Sequence, residues 1–494
     1  MAYDFEEPSP EAETATTRAA SAHDFLRHAR NARTQWAQAS LRARLEVVRR
    51  LRKLIAAESA LLIQAVNGSR RRTAAEILTS EVIPLADACR FLEREAARLL
   101  RARRLRWRGR PAWLAGVRAE IRREPLGEIL ILAPGNYPLF IPGVQILQAL
   151  VAGNAVLVKP APAGAPPMIA LHKLFAMAGL PRDVLQVLDE DMRTAQAIIA
   201  AGVDKVVLTG SAHTGRQVLS QLAPRLTPAA LELSGNDAVF VLPGADLKMV
   251  AAALAFGLRL NGGQTCIAPR RVFVPMDQMP ALEGRLLPLV TRLPAVPVST
   301  STLTRGGQML AEARHLGARL SAPVPSATGD TMSPVVIMDA SPELAVCKEA
   351  AFAPIISLIR VASPMDALRL DAQCPYALGA SIFGPESAAL ELASEVRAGS
   401  VTINDLIVPT ADPRLSFGGR DASGYGVTRG ADGLLEFTRI KTVSTRAGRF
   451  RPHYEQEHAG DAALFTAYLR AAHAGSWRER SRSLLRVLSG LSRR

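Results

Sequence analysis

The residues that could do chemistry gather around one cysteine. Cys266 is preceded by Leu260-Asn261-Gly262-Gly263-Gln264-Thr265 and followed by Ile267-Ala268, a run of small and polar residues that lets the backbone turn closely and lets water or substrate approach the thiol. Three unusual stretches come before it in a fixed order: APGNYP around Asn136, VLTGSAHTG around Gly210 and LELSGND around Glu232. A thiol, a carboxylate, a side-chain amide and a Gly-Ser turn are the parts needed to attack a carbonyl carbon, hold the oxyanion that forms and pass a hydride to a bound acceptor.

These groups need a scaffold, and the pattern of the chain predicts one. Residues from about 20 to 105 read as helical, with long Ala/Leu/Arg/Glu stretches. From 128 the pattern alternates: GEILIL, NAVLVKP, DVLQVLD and KVVLTG read as buried strands, separated by single helical segments. Strands linked by single helices form right-handed crossovers and a parallel sheet covered on both faces, a doubly wound cofactor-binding layout. A second α/β block runs from about 235 to 437, with DAVFVL, RRVFVP, PVVIMD and IISLIRV as strands. TVSTRAGRF reads as an edge strand, and the remainder is polar, then helical and basic.

Composition narrows the class. A length of 494 residues implies two or three domains, and an apolar content of 48% suits packed cores rather than disorder. Cys89, Cys266, Cys347 and Cys374 are scattered, so neither a disulfide framework nor a metal site is expected. No leader-like or membrane-spanning run is visible, and a reducing cytoplasm is the expected setting. The net charge of +15 comes mostly from Arg, as in the runs at 49–54, 69–72 and 101–110. It is read as solvated helix faces, with no specific nucleic-acid partner expected.

Taken in order, the segments resemble the aldehyde dehydrogenase superfamily over roughly residues 20–445. PLGEILILAPGNYPLFIPGVQILQALVAGNAVLVKP is similar to the family's PxG…PWNxP…PALAAGNxVVxKP block, VVLTGSAHTG to FTGSxxxG, LELSGND to LELGGKN and NGGQTCIAPRRVFV to NxGQxCxAxxR. FGGRDASGYGVTRGADGLLEFTRIKTV resembles the closing FGGxKxSGxGxExGxxxLxxFTxxKTV. The resemblance implies an α/β fold: a doubly wound parallel-sheet cofactor domain (19–116 and 128–233), a second α/β catalytic domain (234–439) and a small β oligomerisation arm (117–127 and 440–452). A flexible tail at 1–18 and a basic amphipathic extension at 453–494 would lie outside it. It also implies roles. Cys266 would be the nucleophile, Asn136 the oxyanion donor, and Glu232 the general base. Lys159, Gly210, Ser211, Gly215 and Phe352 would bind NAD or NADP. An aldehyde would be oxidised to a carboxylic acid by a homodimer or homotetramer.

Three departures stand out. No acid follows Lys159-Pro160, where the family often holds the ribose 2′-hydroxyl, so NADP becomes possible and loose cofactor choice is expected. In Glu349-Ala350-Ala351-Phe352-Ala353-Pro354, Ala350 takes the place of the Glu that usually holds the nicotinamide ribose, leaving Glu349 as an open substitute. The segment between Cys266 and Phe352 also looks short. Two other readings compete: a CoA-acylating or acyl-reducing member, which Glu232 opposes, and a degenerate member serving as a surface-binding protein. Val144, Gln145, Gln148 and Leu260 are candidate pocket walls. In the last segment Trp477, Leu484, Leu488 and Leu491 recur at helical spacing among Arg478, Arg480, Arg482, Arg486, Arg493 and Arg494. That pattern suits either weak binding to an anionic membrane or docking on the protein itself.

Overall fold

The structure is a computed structural model that describes residues 10–67, 72–326, 329–449 and 451–491. Residues 1–9 of the expected tail, most of the basic run at 69–72, and Arg493 and Arg494 lie outside the described residues. The chain divides into two compact units, one of 1–103 with 121–442 and one of 104–120 with 443–494.

The first unit holds two large sheets, besides short two-stranded pairings. In one, the strands Leu185–Val187, Ala155–Lys159, Glu128–Leu132, Lys205–Gly210 and Ala229–Leu233 run parallel in that spatial order. Side chains alternate across it. Ile129, Ile131, Val156 and Val158 enter one core, while Leu130, Leu132, Leu157 and Leu208 enter another on the opposite face. Burial on both faces is why these strands read as unbroken apolar runs. The sixth strand is the short Gly424–Tyr425, which adds antiparallel to Ala229–Leu233 and sets Gly424 opposite Glu232.

The second sheet has seven strands, ordered Arg319–Leu320, Val335–Met338, Ile355–Val361, Pro269–Pro275, Asp237–Val241, Gly379–Phe383 and Ser400–Ile403. All neighbours pair parallel except Arg319–Leu320. Gly379–Phe383 and Ser400–Ile403 carry no strong sequence signal, because small residues fill the central one. A Cβ at Gly379 would sit 2.3 Å from a carboxylate oxygen of Asp237, so close strand packing, not propensity, selects that residue.

Two expectations need correction. The tail expected at 1–18 is helical from Pro10, as part of the helix Pro10–Gln38. Proline fits a first helical turn, and the Ala-rich residues after it favour helix. The helical region also contains a π-turn, Leu78–Val82, between the helices Ala74–Ile77 and Ile83–Leu99, and it closes with a strand, Arg103–Leu105.

A three-stranded sheet follows the order Arg103–Leu105, Val117–Pro125, Thr438–Arg446. Its last strand lies at the sheet edge with most side chains exposed. Two helices follow, Asp461–His473 and Trp477–Leu491, packed on each other through Ala467, Ser483 and Val487.

Candidate active site

Cys266 and Glu232 open into one cavity of about 300 Å³ in the first unit. Its wall is largely apolar, with Phe140, Val144, Phe256, Leu260, Ile407 and Phe417 among the lining residues. Val144, Gln145 and Leu260 take the places expected of them. Gln148 does not line this cavity: its Nε2 donates to the Gly430 carbonyl at 3.2 Å, and its Oε1 accepts from the Arg429 backbone N–H at 3.3 Å. The glutamine ties the closing motif to the helix Phe140–Ala152 instead.

Glu232 sits at the end of the strand Ala229–Leu233, 6% exposed. Burial raises its pKa, and Arg429 and a 3.0 Å hydrogen bond from Thr428 Oγ1 pull it back. The Cys266 thiol is also pushed up, first by burial, then by Glu232 and Asp237, with Arg429 opposing. Burial thus favours the neutral thiol, and the Glu232 carboxyl lines the same cavity. Cys89, Cys347 and Cys374 are buried, and burial raises each of their pKa values.

Asn136 is placed by hydrogen bonds across two loops. Its Nδ2 donates to the Gln264 carbonyl at 3.0 Å, and Asn261 Nδ2 donates to the Asn136 carbonyl at 2.9 Å. Tyr137 Oη and Thr265 Oγ1 are 2.6 Å apart. Beneath the Asn136 loop, the π-turn supplies Glu81, fully buried, whose Oε2 accepts from the Leu139 and Phe140 N–H groups at 2.8 and 3.1 Å. Arg72 pairs with the other oxygen of Glu81 at 2.6 Å. From the far side, the buried Arg270 guanidinium grips the Gly263 and Ala353 carbonyls. Thr428, Tyr137, Arg72, Glu81, Arg270 and Arg429 were not among the residues singled out. Arg270 and Arg429 stand inside quoted motifs, which was the available signal, whereas Arg72 and Glu81 carry none.

Of the expected cofactor residues, Lys159 and Gly210 stand at the carboxyl ends of first-sheet strands. Lys159 ends its strand 4% exposed, with burial lowering its pKa and Glu190, Asp189 and Asp191 opposing that shift. Gly210 ends the next strand. Ser211 caps the helix Ala212–Leu222 by accepting from the Thr214 N–H at 3.1 Å. Gly215 lies in that helix, where an added Cβ would come 3.0 Å from Leu233. Phe352 is half-buried with φ +48°, beside the buried Ala351 and Ala353. A buried cation, a capped helix N-terminus and parallel strand ends suit a dinucleotide. The Glu349 carboxylate pairs with Arg305.

Comparison with known proteins places this arrangement. The model of the aldehyde dehydrogenase family matches residues 3–443. The chain belongs to the aldehyde dehydrogenase family. It is similar to the 4,4'-diapolycopene aldehyde oxidase of Methylomonas sp., at 30% identity over 84% of this chain and 79% of that protein. Among solved structures, a Mycobacterium tuberculosis aldehyde dehydrogenase complexed with NAD+ superposes with a TM-score of 0.81 at 26% identity, covering 88% of this chain and 92% of the other. The NADP-dependent glyceraldehyde-3-phosphate dehydrogenase of Bacillus halodurans C-125, complexed with NADP, matches with a TM-score of 0.81 at 27% identity, covering 87% and 91%. The protein is an NAD(P)-dependent oxidoreductase of this family.

The approach of the Glu232 turn to Cys266 rests on a glycine. A Cβ on Gly235 would fall 2.6 Å from the Cys266 carbonyl oxygen and 2.2 Å from Asp237 Oδ1. Gly235→Ala is expected to displace Cys266 by a fraction of an ångström or more and to lower kcat/KM for aldehyde oxidation by about a hundredfold, the scale of a 1 Å misplacement. Steady-state kinetics alongside circular dichroism checks this. Unchanged kcat/KM in a folded variant would show that the contact does not set the thiol's position.

Proposed function

We propose that the protein oxidises an apolar aldehyde to its carboxylic acid, with Cys266 as nucleophile, Glu232 as general base and Asn136 as oxyanion donor. The observation that carries this reading is that Cys266 and Glu232 share one apolar cavity, while the Asn136 amide donates to Gln264, two residues before Cys266. Glu232 takes the thiol proton, and the thiolate adds to the aldehyde carbon. One Asn136 N–H is used on Gln264, and its second N–H meets the oxyanion together with the Cys266 backbone N–H. The nicotinamide, when bound, supplies the hydride acceptor that turns the thiohemiacetal into a thioester. Glu232 passes the thiol's proton to solvent and, ionised again, takes a proton from the water that attacks the thioester; that proton goes to the departing thiolate, freeing the acid and the thiol. Lys159, Gly210, Ser211, Gly215 and Phe352 hold the cofactor in this reading.

The cavity wall favours an apolar chain on the aldehyde, and the similar Methylomonas protein is named for an aldehyde of 4,4'-diapolycopene. Cofactor choice leans to NAD. The carboxylate that is absent after Pro160 is supplied from another loop: Glu190 accepts from the Ala163 and Ala165 N–H groups at 2.9 and 2.8 Å, bonds that hold its pKa below the usual range. A fixed anion near Lys159 repels a 2′-phosphate.

Two surface readings complete the proposal. The exposed edge strand Thr438–Arg446 supports assembly into a homodimer or homotetramer, because an unpaired edge is completed by a second copy. The last helix supports weak binding to anionic membrane. Its Trp477, Leu484 and Leu488 are 72, 52 and 56% exposed, whereas Ser483 and Val487 face the helix Asp461–His473. The apolar stripe thus points outward among Arg478, Arg480, Arg482 and Arg486. Among the described residues no helix is long and apolar enough to cross a membrane, so the contact would be peripheral.

Cys266→Ala is expected to abolish aldehyde oxidation while cofactor binding persists. Glu232→Gln should keep a first-turnover burst of reduced cofactor while steady turnover falls about 10²–10⁴-fold. Full turnover in the first variant, or an unchanged steady rate in the second, overturns the assignments. For the cofactor, wild type should favour NAD, and Glu190→Gln should raise kcat/KM for NADP relative to NAD by about tenfold, near 1.4 kcal/mol. An unchanged ratio would locate the selectivity elsewhere. In flotation with vesicles containing phosphatidylglycerol at low salt, full-length protein should rise with lipid, and the Leu484→Glu/Leu488→Glu variant should not. Equal flotation of the two, or none from either, ends the membrane reading. Sedimentation of the same samples without lipid at micromolar concentration should give at least a dimer, and a monomeric mass contradicts the arm's role.

A further inference from the structure

One charged group in the cavity is left without a task by the mechanism. Among the residues lining it, Glu232 and Arg429 are the ones that carry full charges. Arg429 is held in a backbone conformation, φ +63° and ψ 174°, that favours glycine and costs an arginine about 1–3 kcal/mol. The surroundings hold it there. Its backbone N–H bonds Gln148, its guanidinium donates to the Thr410 carbonyl, and its Cζ lies 4.2 Å from the Phe417 ring centroid and 5.8 Å from that of Phe140. No carboxylate lies within ion-pair distance of it among the described residues. An arginine kept in a glycine conformation, against two phenyl rings and with no direct counter-ion, is held where its field reaches the reacting groups.

We propose that Arg429 is a positioning residue that supplies the counter-charge of the active site, keeping Glu232 ionised and easing formation of the Cys266 thiolate. The charges facing Cys266 make the need clear. Glu232 and Asp237 both oppose a thiolate, and burial opposes it more. The buried Arg270 also feels the thiol, but Asp237 acts on it more strongly and its guanidinium is engaged by the Gly263 and Ala353 carbonyls. Tyr137 faces the thiol too, with burial keeping its hydroxyl protonated. Around Glu232 stand Arg429 and the neutral Thr428. Arg429 is thus the cation that acts on both groups, and the charges that act on it are those of Glu232 and Cys266. A cation in a low-dielectric cavity works at longer range than one in water, so direct contact is not required.

The inference rests on Cys266 being the nucleophile and Glu232 the base, and its test reads ionisation rather than turnover. The rate of Cys266 alkylation by iodoacetamide is followed against pH in wild type, Arg429→Gln and Arg429→Lys, with Cys266→Ala reporting label on other thiols. Glutamine can keep the bond to the Thr410 carbonyl without the charge, and lysine keeps the charge. Arg429→Gln should shift the midpoint upward by about one pH unit, so that alkylation at neutral pH slows about tenfold. Arg429→Lys should stay near wild type. In single-turnover deacylation the Glu232-dependent limb should also move to higher pH in Arg429→Gln. Coincident alkylation profiles for wild type and a folded Arg429→Gln, or a Lys variant as impaired as the Gln variant, overturn the proposal. Should Arg429→Gln not fold, Arg429→Lys alone decides: a displaced profile counts against a charge role and an unmoved one for it. Full aldehyde oxidation by Cys266→Ala would instead bring down the nucleophile reading itself.

Discussion

The site depends on two loops being sewn together. One carries Asn136 and Tyr137, the other Asn261 to Cys266, and each donates to the other: Asn136 to Gln264, Asn261 to Asn136, with Tyr137 and Thr265 sharing a hydroxyl contact. Neither loop belongs to a regular sheet, so side-chain bonds set their separation, with Arg72 reaching both sides through Glu81 and through Glu76, which accepts from the Asn261 N–H. The buried Arg72–Glu81 pair steadies one side by holding the start of the helix Phe140–Ala152, and Arg270 steadies the other. A charge pair taken out of water is weak evidence for stability but holds a single geometry well when every lone pair is used. Here both oxygens of Glu81 are engaged. The π-turn that delivers it is irregular where the site needs a side chain that a regular helix would aim elsewhere.

Desolvation sets the chemistry. The apolar wall of the cavity raises the cost of every charge inside it. Thiol, carboxylate and guanidinium are each displaced toward neutrality, and each is partly restored by one of the others. The three groups form one electrostatic unit rather than separate parts.

Much of the fold was legible because fully buried strands leave unbroken apolar runs, as in GEILIL and KVVLTG. Family membership was legible from five motifs in order. The meeting of Cys266 and Glu232 in one cavity, far apart in sequence, is what no single motif encodes. What escaped the sequence depends on distance. Glu190, the acid proposed to repel a 2′-phosphate, lies in a different loop from Lys159, where motif spacing does not reveal it. Arg72 and Glu81 look like ordinary helix-surface charges until the π-turn buries them. Strand Gly379–Phe383 is too poor in branched residues to stand out, since its packing demands small ones. The helical start at Pro10 was missed because charge and polarity suggested a solvated tail while local propensity favoured helix.

The short strand Gly424–Tyr425 pairs with the strand that ends near Glu232, and Thr428 reaches that carboxylate across 196 residues of sequence. As the chain leaves the ribosome, the first sheet's strands all emerge long before this partner does. The strand Ala229–Leu233 must then wait as an open edge while the whole second sheet is made, and open edges invite pairing with other chains. The reactive cavity closes only when the late segment returns, a long-range contact of the kind that slows folding. Order of synthesis thus keeps Cys266 and Glu232 from meeting in their finished environment until nearly the entire family core exists.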